Sequence, residues 1–363
     1  MGYPRPRRVV LISFYFVCLL LAGCSTSPQP SSPTEPPPPS NQQSQEPGET
    51  TPAFGHGSPR PECQYCVEPG RTAYYEKPVV VAGDWSQPIM VAAPVSDACP
   101  NDAIQISRDG RTLYFFWSPT VNGSYEELLH AHTGTYRAER VGDDPGIFGE
   151  PTYFELQKGV EGGSVDGKPS FSPGGDLVYF HSTRADNTGY RATPPTDDYL
   201  DIYVAPILNG EPGPAVNLGE PLNSVYLDGE HDLHPDGERL FLATNRPGGL
   251  GGVDIWVSTR TGDKWGEPVN LGGTINSEHS EAQPGFAVDY PDTMYFVSDR
   301  DGPSSIYRSS REGEAWSEPE MVITGYVGEP SLVADGSIMY FVHVLVNDQG
   351  VYGSNIWYVE RLS

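Results

Sequence analysis

Residues 231–243 read HDLHPDGERLFLA, and the same shape returns along the chain. It appears as IQISRDGRTLYFF (104–116), PSFSPGGDLVYFH (169–181), GFAVDYPDTMYFV (285–297) and PSLVADGSIMYFV (330–342). Each copy is an apolar strand, a tight turn and a second strand that ends in aromatics. The aligned rings are Tyr114, Tyr179, Phe241, Tyr295 and Tyr340. Gly110, Gly175, Gly237 and Gly336 sit in the turns, where joining two strands closely calls for a positive φ. The fourth copy departs, with Pro291 in that place and one residue more.

A third strand follows in each unit: Asp201-Ile-Tyr203, Asp254-Ile-Trp256, Ser305-Ile-Tyr307 and Asn355-Ile-Trp357. The first unit's counterpart is expected near Leu128 to Ala131 in a degenerate form. A fourth strand is announced by an aromatic-x-x-Pro signal: Phe148-Gly-Glu-Pro151, Trp265-Gly-Glu-Pro268 and Trp316-Ser-Glu-Pro319. Unit two has only Asn209-Gly-Glu-Pro212. Proline suits an edge strand, where its missing N–H costs no ladder bond. The fifth unit ends after three strands, while a spare signal, Trp85-Ser-Gln-Pro88, precedes the first. A repeat of this length marks an array of supersecondary units. The expected fold is therefore all-β: a five-bladed β-propeller with four-stranded blades. It is closed by pairing of an N-terminal strand, within residues 77–93, with the C-terminal blade, which removes exposed edges.

The stretches DGRTLYFF, NRPGGLGGVDIWVSTRTGDKWGEPVNLGGTINSE and TMYFVSDRDG resemble WD40-like propeller repeats of the TolB type. The resemblance covers about residues 72–363. It implies a propeller of the cell envelope that serves as an interaction platform.

The other end of the chain sets the compartment. Arg5, Arg7 and Arg8 precede a largely apolar stretch (9–22, VVLISFYFVCLLLA), too short for a membrane span but suited to a signal peptide. Leu21-Ala-Gly-Cys24 resembles the lipobox of bacterial lipoproteins. That implies cleavage after residue 23, lipid on Cys24, and attachment to the outer membrane where the cell has one. Residues 25–52 hold nine prolines and little that is apolar, so they should form a disordered tether within 24–71. The propeller is expected over 72–363. Of the remaining cysteines, Cys63, Cys66 and Cys99, one of the first two is expected to form a disulfide with Cys99; the pairing stays open.

The formal charge of −26 argues against nucleic acid or anionic lipid as partner and favours a basic protein or peptide. In a propeller the loop before each inner strand and the loop between second and third strands share one face. Counting from the turns places Asp166, Lys168, Asp228, Glu230, Glu281 and Glu329 at the channel mouth on that face. Arg184, Arg246, Arg300 and His343 come from the second-to-third-strand loops. Two readings follow. One is a funnel of carboxylates that accepts an envelope protein or basic peptide. The other is that the acids cap strand ends and pair with Arg246 or Arg300 between blades. A third possibility makes the chain a carbohydrate-binding or glycoside-hydrolase-type propeller, with Glu230, Glu281 and Glu329 as candidate carboxylates. No sequence signature of a cofactor or metal site is complete. Asp299-x-Asp301-Gly302 lacks the later Glu of a calcium loop.

Overall fold

The structure, a computed structural model, describes residues 77–97, 99–119, 133–158, 160, 164–189, 200–347 and 350–362. The expected signal peptide, Cys24, the tether, Cys63 and Cys66 lie outside the described residues. Five small antiparallel sheets follow one another along the chain. Blade 1 comprises Asn101–Ile106, Thr112–Trp117, Gly134–Glu139 and Thr152–Tyr153. Blade 2 comprises Asp166–Phe171, Leu177–Ser182, Asp201–Leu208 and Val216–Asn217. Blade 3 comprises Asp228–Leu233, Arg239–Thr244, Asp254–Thr261 and Val269–Asn270. Blade 4 comprises Glu281–Phe286, Thr293–Ser298, Ser305–Glu312 and Glu320–Thr324. Blade 5 comprises Val327–Leu332, Ile338–Asn347, Gly350–Glu360 and, from the other end of the chain, Ile89–Met90.

The five inner strands contact one another in the order 1-2-3-4-5-1, so the ring is closed. Each second strand is sandwiched between neighbouring blades, which is why runs such as RLFLA and TMYFV do not alternate: both faces are buried. Inner strands read differently, as DGKPSF, DGEHDL, EAQPGF and VGEPSL, because they border the axis.

Closure follows the expected route. Ile89 and Met90 pair with Tyr358 and Trp357, and Trp85 bridges to Arg361. Ser96 locks the joint: its Oγ donates to the Ile356 carbonyl at 3.2 Å and accepts the Ile356 N–H at 3.1 Å. Asn223 and Asn276 hold Ile202 and Ile255 of blades 2 and 3 in the same two-bond manner. One feature goes beyond expectation. Val79–Val80 adds a strand to the outer edge of blade 4, against Thr324 and Ile323, so the N-terminal segment ties blades 4 and 5 together.

The aromatic signals fill the seams between blades. Tyr179 meets Trp265 of the next blade at 6.1 Å and 85°. Phe241 meets Trp316 at 6.3 Å and 84°. Tyr295 meets Trp85 at 6.1 Å and 81°, and Tyr340 meets Phe148 at 6.1 Å and 72°. Such edge-on pairs contribute about 0.5–1.5 kcal/mol each beyond burial. In every case the ring sits opposite an arginine of its own blade: Arg260, Arg311, Arg361 and Arg140. Blade 2 has neither. Its corresponding pair is Ile207 opposite Pro212.

Strand pairing corrects three expectations. In Asn209-Gly-Glu-Pro212 the proline is the counterpart of Trp265 rather than of Pro268. The hairpin is fixed by Gly213 N–H to Pro206 C=O, matching Gly266 to Thr259. The third strand of blade 1 is Gly134–Glu139, with Tyr136 in the aromatic place and ring-stacked on Phe115, as Tyr203 is on Phe180. His343 lies inside the strand Ile338–Asn347 rather than in a loop, because blade 5's second and third strands stay paired as far as Asn347 and Gly350.

Candidate functional site

On the loop-side face the candidate acids are engaged within their own blades. Asp166 lies 3.5 Å from Arg184, Asp228 2.6 Å from Arg246, and Glu281 3.1 Å from Arg300. Each guanidinium also stacks on the third-strand ring of its blade: Arg184 over Tyr203, Arg246 over Trp256 and Arg300 over Tyr307. Serines complete the shells, with Ser224 on Asp228 and Ser277 and Ser298 on Glu281. The pairing seen as one alternative in the sequence thus exists, but inside a blade and not between blades. His343 is buried against Trp357, with ring centroids 5.9 Å apart.

Lys168, Glu230 and Glu329 lie deeper. Each inner strand carries a β-bulge, and the bulged residue is left-handed: Ala103, Lys168, Glu230, Gln283 and Glu329 have φ of 45–58°. The irregularity brings these residues together at the axis. Lys168 Nζ of blade 2 donates to Glu329 Oε2 of blade 5, two blades that are not neighbours in the ring. Gln283 Nε2 donates to Glu329 Oε1 at 2.8 Å, and the Glu329 N–H returns to Gln283 Oε1 at 3.0 Å. The Glu230 N–H donates to His181 Nδ1 at 3.2 Å. His181 reaches this layer because Gly167 and Gly229 flank it; a Cβ on either would come within 3.2 or 3.3 Å of its ring.

The cluster is buried, with Glu230 0% and Glu329 and Lys168 1% exposed. Burial, then the neighbouring Glu329, pushes Glu230 well above the usual carboxylate range. Burial, then His231 and Lys168, pushes His181 well below the usual imidazole range. Burial works against a charged Lys168, but Glu329 and Glu230 outweigh it and raise its pKa. The cluster pairs Lys168 with Glu329, beside a Glu230 whose burial favours its neutral form. It crosses the channel as a plug.

Two residues further along the inner strands, toward the tight turns, the channel opens into a cavity of about 380 Å³. All five blades line it: Gln105 and Arg108, Ser170 and Phe171, Asp232, Phe286 and Val288, and Leu332. Its depth is set by stitching between inner strands. The Ser170 hydroxyl donates to Asp232 Oδ1 at 2.7 Å and accepts the Leu233 N–H at 2.9 Å; Ser331 accepts the Ile106 N–H at 2.9 Å. Burial raises Asp232 to about 6, with Ser170 and then Lys168 opposing it. Arg108 leans across the mouth to the Pro173 carbonyl at 3.2 Å. The volume is within the roughly 300–1,000 Å³ typical of ligand pockets. Neither Asp232 nor this face stood out in the sequence; the signal available was the unequal set Gln105, Ser170, Asp232, Gly285 and Ser331 at one repeat position.

Among the described residues no group of side chains is arranged to hold a metal ion. Cys99 is disulfide-bonded, and every other cysteine lies outside the described residues.

No family model matches the sequence, and no curated protein matches it. Among solved structures, TolB from Acinetobacter baumannii is 15% identical, with 61% of this chain and 48% of that chain covered and a TM-score of 0.36. This chain thus spans about half the length of that protein. A putative TolB from Agrobacterium tumefaciens is 16% identical over 75% of this chain and 78% of that one, with a TM-score of 0.42. An α-L-arabinofuranosidase from Lactobacillus brevis is 12% identical over 74% and 93%, with a TM-score of 0.41. These likenesses are too distant to carry a function. The chain is a five-bladed β-propeller on its own strand pairing.

Proposed function

We propose that the protein is a binding propeller of the cell envelope, held to its membrane through lipidated Cys24, that accepts a basic peptide or protein loop in the turn-side cup. One observation carries the reading. The buried Lys168–Glu329–Gln283 cluster closes the channel, and directly before it lies a cavity built from all five blades. Such a blind cup favours capture of a protruding group over passage of a chain. The charge of −26 steers cationic partners toward it.

The glycosidase alternative has less support. It needs an acid and a base that reach both sugar and water. Glu230, Glu281 and Glu329 are at most 1% exposed, and the carboxylates of Glu281 and Glu329 are committed to Arg300 and to Lys168 and Gln283.

The test is selection from a lysine-rich twelve-residue display library on the full-length protein in detergent. Selected peptides should bind the native chain and lose about 30-fold or more against Val288→Trp, which fills the cup from blade 4. Equal binding to that variant removes the cup from the function.

A further inference from the structure

The cup does not end at the axis. Beyond Phe171 it runs into the seam between blades 1 and 2, where Tyr114, Phe154, Ile207 and Gly210 line it. This is the seam whose outer hairpin lacks the ring that fills the other four. Tyr114 occupies the place held elsewhere by Tyr179, Phe241, Tyr295 and Tyr340. It has Phe154 and Phe171 at 5.0 and 4.8 Å, while the hairpin of blade 2 carries Pro212 and Ile207 where the other hairpins carry a ring and an arginine. A Cβ at Gly210 would meet nothing within 4 Å.

We propose that this seam is a specificity pocket for an aromatic side chain supplied by the partner. Tyr114 offers the face that Tyr179, Phe241, Tyr295 and Tyr340 present to Trp265, Trp316, Trp85 and Phe148 in this same molecule, and the hairpin of blade 2 supplies no ring to meet it. The aromatic group enters beside Arg108, stacks on Tyr114 and Phe171, and leaves its backbone at the mouth of the cup. Basic neighbours in the peptide then face Asp109, which is exposed at the rim, and Asp232 below. The inference rests on the cup reading and adds to it what the cup selects.

The outer groove at the seam between blades 2 and 3, about 460 Å³, makes a useful contrast. There Trp265 is present as a wall, with Arg260 stacked over it at 5.7 Å. That groove lies on the circumference, and none of its lining residues belongs to an inner strand.

The experiment compares two probes, acetyl-Lys-Trp-Lys-amide and acetyl-Lys-Ala-Lys-amide, by calorimetric titration of the full-length protein. The Trp probe should bind at least about tenfold more tightly. Pro212→Trp restores the internal ring and should abolish that preference while keeping or raising the melting temperature. Phe171→Ala removes one wall, and should weaken the Trp probe about tenfold even if Pro212→Trp fails to fold. Equal binding of the two probes, or a Trp preference that survives both variants, overturns the aromatic pocket. If selected peptides still depend on Val288 in that event, the cup stands without it. If they do not, the cup falls as well.

Discussion

Lys168 and Glu329 are 161 residues apart in sequence and form an ion pair at the centre of the ring, each side chain 1% exposed. They come from blades 2 and 5, so the contact spans the channel. Removing one partner of a buried pair leaves the other charge uncompensated, at a cost of about 3–5 kcal/mol. Lys168→Met should therefore lower stability by about that amount in denaturant titrations. The double variant Lys168→Met with Glu329→Gln should recover part of the loss. A single variant as stable as the native chain would mean that the plug is not formed.

Ring closure yields a paired prediction. Ser96 joins the N-terminal segment to Ile356 as Asn276 joins the outer loop of blade 3 to Ile255. Ser96→Ala leaves the Ile356 N–H and C=O without that partner and should cost about 1–3 kcal/mol. Asn276→Ala should cost a similar amount or more. A neutral Ser96→Ala beside a damaging Asn276→Ala would show that the closing strand is not part of the folded ring.

Much of this architecture was legible in the sequence, because the repeat carries both the strands and the seam rings. The blade number, the turn glycines and the N-terminal strand of blade 5 follow from it. What was hidden depends on register and on distance. A β-bulge displaces Lys168, Glu230 and Glu329 from the mouth into the channel, and nothing in DGKPSF or VGEPSL marks the extra residue. Pro212 resembles a fourth-strand proline by its Gly-Glu-Pro letters, while the shorter spacing from the turn places it opposite Ile207. Arginine opposite the seam ring, as at Arg140, Arg260, Arg311 and Arg361, was a usable signal that would have fixed that register. Val79–Val80 is too short to stand out, and its partner Ile323 is more than two hundred residues away.

The pH dependence has two opposed parts. Asp232 is raised from 3.8 to about 6 by burial, so the folded state holds its proton more tightly than the unfolded chain. This acid therefore destabilises the fold above about pH 6 and stops doing so below about pH 4. Asp232→Asn should stabilise the protein at pH 7.5 by up to about 3 kcal/mol, with the advantage shrinking as pH falls to 4. His231 behaves oppositely: burial lowers it from 6.5 to about 3, so its stabilisation is complete above pH 6.5 and is lost as pH falls toward 3. Denaturant melts of both forms at pH 4.5, 6 and 7.5 give the answer; an Asp232→Asn difference that grows on acidification contradicts the assignment.

The seam rings predict graded losses. Trp265→Ala removes a ring that is 9% exposed, packed on Tyr179 and covered by Arg260. It should cost about 3–5 kcal/mol. Pro212→Ala, at the seam without a ring, should cost far less. Comparable losses at both positions would mean that Pro212 fills its seam as fully as Trp265 does.

Membrane attachment is tested apart from the fold. Cys24→Ser should move the protein from the membrane pellet to the soluble fraction without changing its melting temperature. Retention in the pellet after high-salt and carbonate washes would refute lipidation as the anchor.

The most direct test of the central claim is a crystal structure of the full-length protein with a selected lysine-rich peptide. An aromatic side chain is expected between Tyr114, Phe171 and Gly210, with the peptide backbone over the turn-side mouth. A peptide seated instead on the loop-side face, near Arg246 and Arg300, with the seam beside Tyr114 unchanged, would contradict it.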